Sequence, residues 1–283
     1  MQQVRRSANY AWNGRAGRLQ INAIAARPPF MQSLDSMTVR YEEYVQALVP
    51  LEAMDPKVFI GGEDASQKLC NFILALALVY NDFKVVIVGH HAVDTVEPKN
   101  LMVKTPEVGM FNAVRIGMFR LHAGIFRELF DLIYNNADVL AEPFFSRLER
   151  KLTSEGRAHW QALCDIASSR PKDNPELKAL LLVRNKVAFH YDPAALFAGY
   201  RMSCVDDVTN PPLVSRGNTM QATHFFFADA AAMSYMSEAA EQDALMDILC
   251  GRSPLTHRIN VALYELVTKF VAERGFAWKT ASA

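Results

Sequence analysis

Cysteine is scarce in this chain: Cys70, Cys164, Cys204 and Cys250 are the 4 cysteines among 283 residues, and none forms a C-x-x-C pair. Such spacing excludes a zinc finger, a thioredoxin-type redox pair and a dense disulfide framework, and it reads as buried thiols in a reducing compartment. A charge excess is equally absent. Lys and Arg total 30 and Asp and Glu total 30, so no global field draws the protein to nucleic acid or to an acidic membrane, and any phosphate contact must be local. The first thirty residues lack the continuous apolar core of a secretory signal. The greasiest run, Leu69 to Tyr80, meets Asn81 and Asp82 before it reaches bilayer length. These absences point to a soluble cytoplasmic protein with no membrane contact. No Walker loop, G-x-G-x-x-G, H-E-x-x-H or G-x-S-x-G occurs, and no internal repeat is present. No cofactor and no metal site is expected.

What is present is hydrophobic content of 51%, enough to bury a substantial core. Residues 1–30 carry Arg5, Arg6, Arg15, Arg18 and Arg27 with no acid and end at Pro28-Pro29. That stretch reads as a disordered basic arm; reach to phosphate and an organelle transit peptide are the competing readings. Residues 31–283 read as a single helical domain, an all-α bundle. Helical spacing runs from Leu34 to Leu51, and Gly61-Gly62 breaks the chain before Ala65 to Tyr80, which is apolar nearly all round and suits the interior. The following FKVVIVGHHAV fits a strand or a buried helix, and its setting favours helix. His90 and His91, with Asp94 nearby, invite a metal reading, but adjacent histidines point to different sides, which favours capping or surface roles.

Thr105-Pro106-Glu107 supplies an N-cap, a first-turn proline and a dipole-compatible acid, and opens the longest helix. Met110, Val114, Met118, Leu121, Ile125, Leu129 and Leu132 form its expected core stripe, with Ala113, Gly117 and Gly124 permitting close approach on another side. Arg120 and Arg127 lie on that second side as a basic rim or as solvated surface. Glu142 to Ser168 reads as one or two helices with alternating surface charge. His159-Trp160 suits packing better than base stacking. A short β-hairpin is expected within residues 208–228, between LVS and ATHFFF, with His224 in a strand or loop. Helix resumes at Ala228, breaks at Gly251 to Pro254 and closes with Leu255 to Phe270.

The most informative segment is NPELKALLLVRNKVAFHYDP, Asn174 to Pro193. Asn174 is an N-cap and Pro175 a first helical position, so the predicted helix spans 175–191. Asp192-Pro193 ends it and caps the next helix, PAALFAGY. Leu177, Leu180, Leu181, Arg184 and Ala188 recur on one face, while Leu180, Val183 and Val187 lead to His190. A guanidinium on such a stripe is costly unless it meets an anion.

The string RNKVAFHYDP resembles the signature of the HEPN superfamily: an arginine, a polar residue and a histidine a few positions on, here Arg184, Asn185 and His190. Its Arg-Asn-Lys start and the aspartate after the histidine are similar to abortive-infection members. The likeness covers about Asn174 to Tyr200, and the arginine-histidine spacing is one residue longer than in many members. The resemblance implies metal-independent cleavage of RNA by attack of the 2′-hydroxyl on phosphate, in a toxin or phage-defence setting with an antitoxin as a further partner. His190 would move protons, since its ring titrates near ~6.5 and a helix C-terminus favours imidazolium. Arg184 would hold phosphate oxygens through paired donors. Asn185 would position the phosphate or His190, and Lys186 and Tyr191 would assist in substrate binding.

Six helical positions separate Arg184 from His190 by about 9 Å of rise and about 120° of rotation. The resemblance therefore also implies a homodimer that pairs two motif helices across a two-fold axis. The competing readings are a non-catalytic HEPN-like module binding a nucleotide or protein, and a helical interaction protein with a chance motif.

Overall fold

A computed structural model describes residues 12–13, 18–19, 52–94, 97–101, 104–169, 174–188, 192–206, 211–220, 223–239, 255–275 and 279–280. The architecture is an all-α helical bundle. After a 3-10 turn at Pro56–Phe59 come α1 (Gln67–Asp94), α2 (Pro106–Asn135), α3 (Ala137–Leu140), α4 (Pro143–Lys151) and α5 (Ser154–Ser168). They are followed by α6 (Pro175–Val183), α7 (Pro193–Tyr200), α8 (Phe226–Ala239) and α9 (Leu255–Glu273). Among the described residues, sheet-like pairing amounts to two-residue antiparallel rungs, Trp12–Asn13 with Arg18–Leu19 and Glu52–Ala53 with Lys279–Thr280, and one isolated bridge. Most of the basic arm and the helix expected over Leu34 to Leu51 lie outside the described residues.

The punctuation read from sequence is built as expected. Thr105 accepts a bond from the Val108 amide at 3.3 Å, Asn174 from that of Leu177 at 3.0 Å and Asp192 from that of Ala194 at 3.0 Å, each with proline in the first helical turn. An N-cap of this kind stabilises its helix by about 1 kcal/mol. The segment FKVVIVGHHAV is helical and lies wholly inside α1.

α1 corrects two expectations. It runs past Asn81 and Asp82 to Asp94, and its Gln67–His90 portion, in which an 18-residue window reaches mean hydropathy 1.9, is long and apolar enough to cross a bilayer by length and composition. Nor is it interior all round: Leu69, Phe72, Ile73, Leu76 and Phe83 are buried, whereas Leu74, Leu78 and Val85 are exposed. A single helix can turn only one face to the rest of the bundle.

The core stripe of α2 is rotated from the expected one. Phe111, Ile116, Phe119, Ala123, Phe126, Phe130 and Ile133 are buried with Leu129, while Met110 and Leu121 are exposed. The bulky aromatic row wins because α1 presents Phe83, whose ring meets Phe126 edge-on at 5.6 Å. A Cβ placed on Gly117 would meet nothing within 4 Å, so the close approach expected there is absent among the described residues.

At the other end of the bundle Phe270 of α9 stacks on Phe59 and meets Phe144 edge-on, each at 5.7 Å. Trp160 of α5 is buried against Phe145, so its role is packing. Glu265 of α9 clamps the start of α5 through the Thr153 amide at 2.8 Å and the Thr153 hydroxyl at 2.5 Å. Among the described residues, the hairpin expected within 208–228 is represented by one antiparallel bridge, Ser215 to His224. Phe226 already begins α8, so the second strand has no length to form. His224 places Nε2 2.6 Å from Asp229 in the first turn of α8.

Candidate functional site

The motif helix α6 packs on α2, and its Leu177, Leu180 and Val183 are all buried in the core, as is Val187 beyond it. Removing such a side chain from water stabilises by about 1.5–3 kcal/mol each, so this face is firmly held. Beyond Val183 the helix widens into a π-helical turn over Arg184–Ala188. Turns of this kind carry more residues per revolution than an α-helix and concentrate at functional sites. The α-helical rise and rotation worked out from sequence therefore do not apply across this stretch. The regular helix runs to Val183 and the π turn follows over Arg184–Ala188; residues 189–191 of the predicted motif helix, with His190 and Tyr191 among them, lie outside the described residues.

Arg184 is half-buried rather than sealed. One guanidinium nitrogen donates to Glu128 Oε1 of α2 at 3.1 Å, and another donates to Asn185 Oδ1 at 3.1 Å. The arginine side chain is 31% exposed and its carboxylate partner 58%, so the pair sits at the surface of the α2–α6 contact. Asn185 is exposed beside it. The structure thus brings Arg184 and Asn185 into direct contact and adds Glu128, which sequence reasoning missed. Nothing in the sequence marks Glu128, because its partner lies 56 positions away.

Lys186 faces a different anion. Its ammonium donates to Asp192 Oδ2 at 2.5 Å, and its carbonyl accepts from the Asp192 amide at 3.2 Å. Asp192 also caps α7 through the amides of Ala194 and Ala195, the capping role expected of it. The lysine bond, followed by the Ala195 amide, holds the Asp192 carboxyl below its ordinary range, and the aspartate in turn raises the Lys186 ammonium. Lys186 is therefore anchored at home, and it can offer a bound phosphate only the donors that Asp192 does not take.

On α2, Arg127 is half-buried and ion-paired one turn on with Asp131. His90 packs against Phe119 at 5.1 Å and His122 at 5.7 Å, so its ring serves the α1–α2 contact. A hollow lined by Asp64, Phe144, Arg147, Leu148 and Glu273 shares no residue with the motif. Cys70 is buried and Cys164 is pushed up to about 12 by burial, so neither supplies a thiolate at neutral pH. No protein-family model, curated protein or solved structure matches this chain.

Proposed function

We propose that the chain is a metal-independent RNA endonuclease of toxin or phage-defence type, a HEPN-like protein that acts as a cytoplasmic homodimer without membrane contact. The observation that carries this reading is the position of Arg184: partly exposed, on a π turn, touching the exposed Asn185 and ion-paired with a solvent-facing carboxylate. A surface ion pair of this kind is worth about 0–1 kcal/mol, so phosphate can displace Glu128 from the guanidinium at little cost. Charge-assisted, paired donors to phosphate oxygens are stronger than that contact. In this reading Arg184 and Asn185 hold the scissile phosphate and stabilise its developing charge. His190 exchanges the proton of the 2′-hydroxyl, and Lys186 and Tyr191 line the substrate path.

Pairing of two motif segments across a two-fold axis would place two such arginines in one groove, and an antitoxin would act by covering it. The test compares wild type with Arg184→Ala and His190→Ala on structured RNA in the presence of a chelator. Cleavage by wild type alone is expected. Equal cleavage by all three, or by none, removes the nuclease reading.

One observation favours a second reading. Arg184 and Lys186 are both paired with carboxylates, Glu128 and Asp192, as suits a non-catalytic HEPN-like module binding a nucleotide or protein. In that case nucleotide or partner binding survives His190→Ala and no RNA is cut.

A further inference from the structure

Two helices remote in sequence bring a second set of reactive side chains together, away from the motif. Glu155 and His159 lie one turn apart on α5, and His257 lies in the first turn of α9. Glu155 Oε1 is 3.1 Å from His257 Nε2 and 3.5 Å from His159 Nε2. All three donor atoms fall within 4.8 Å of one another. The two imidazoles stand nearly perpendicular, with ring centroids 5.1 Å apart and planes at 82°. His159 Nε2 is covered and makes no hydrogen bond among the described residues, although it faces the carboxylate.

From this geometry we infer that Glu155, His159 and His257 form a binding site for a divalent transition ion of the zinc class. Two imidazole nitrogens and one carboxylate oxygen make a borderline-soft donor set, which suits zinc and its neighbours rather than calcium or magnesium. Ligands about 2.1 Å from a tetrahedral ion lie about 3.4 Å from one another. The two Glu155 separations already bracket that value, so the side chains need only small adjustments to converge.

The backbone beneath is fixed. Glu265 holds the Thr153 amide and hydroxyl, and a Cβ on Gly156 would meet the Glu265 carboxyl at 2.5 Å, so α5 starts in close contact with α9. The open side is equally clear, because Glu155 is 61% and His257 46% exposed. Three protein donors with a solvent-facing fourth position leave room for water on the ion. Bound there, the ion ties the start of α5 to the start of α9. The site shares no residue with the Arg184 cluster, and it stands or falls independently of the nuclease reading.

The test uses the full-length chain, stripped with chelator and titrated calorimetrically with Zn²⁺ in a non-coordinating buffer. Co²⁺ serves as the spectroscopic probe of donor geometry. One saturable equivalent, visible ligand-field bands with Co²⁺ and a raised unfolding midpoint with Zn²⁺ are expected. His257→Ala and Glu155→Gln, both at exposed positions, are each expected to weaken binding at least tenfold and to abolish the midpoint shift while circular dichroism stays native. Absence of saturable binding by wild type, or unchanged affinity in both variants, overturns the assignment.

Discussion

Lowering the pH from about 7 to about 5 should weaken this fold chiefly through one ring, His122 on α2. The imidazole is 3% exposed, stacked on Phe126 at 4.6 Å and tilted against Phe83 at 5.2 Å. Neither ring nitrogen has a hydrogen-bond partner among the described residues. Burial first, and the neighbouring His90 second, lower its pKa to about 3. In the unfolded chain the same ring titrates near ~6.5. Above that value neither state holds the proton and the contribution is flat. Below it the unfolded chain takes up a proton that the folded chain refuses, so stability falls steadily until the pH reaches the folded value of about 3.

Each pH unit in that window is worth about 1.36 kcal/mol, so the loss from this group is about 2 kcal/mol at pH ~5. For a protein of this size that corresponds to about 4–8 °C in unfolding midpoint. The assay is urea unfolding of wild type and His122→Phe at both pH values. Phenylalanine suits the aromatic surroundings and has nothing to titrate. The wild type should lose about 2 kcal/mol more than the variant on acidification. Parallel losses in the two proteins would refute the reasoning.

Glu128→Gln removes the anion on Arg184 but keeps the shape of the side chain. Stability should change by less than about 1 kcal/mol because the pair is solvent-facing, while affinity for a short structured RNA, read by fluorescence anisotropy, should rise severalfold. A fall in affinity would show that Glu128 positions the guanidinium for binding rather than competing with RNA for it. Gly199→Ala places a Cβ 1.9 Å from the Ala231 carbonyl oxygen, where α7 crosses α8. Unfolding should require about 1–3 kcal/mol less, and an unchanged denaturation midpoint would contradict that packing.

Local chemistry was legible before any coordinates. Thr105-Pro106, Asn174-Pro175 and Asp192-Pro193 start helices because a short side chain reaches an amide two or three residues away and proline presets the next φ, and both effects are complete within one turn. The same locality makes the capping role of Asp192 readable from sequence. The pairing of Glu155 with His159 also follows from a one-turn spacing, though by itself it implied nothing.

Partners distant in the chain were another matter. α2 offers an aliphatic and methionine row and an aromatic row, and period alone does not say which is buried; the Phe83 and His90 rings of α1 select the aromatic one. Glu128 meets Arg184 across 56 positions and His257 meets Glu155 across 102, distances over which sequence spacing carries no information about contact. Across the π turn at Arg184–Ala188, Val187 is buried in the core with Val183 before it, while Lys186 meets Asp192 six positions on. Helix class, helix starts and the motif itself are thus properties of neighbouring residues along the chain. Which faces are covered, which charges meet and which histidines converge depend on side chains that only folding brings within a few ångströms of each other.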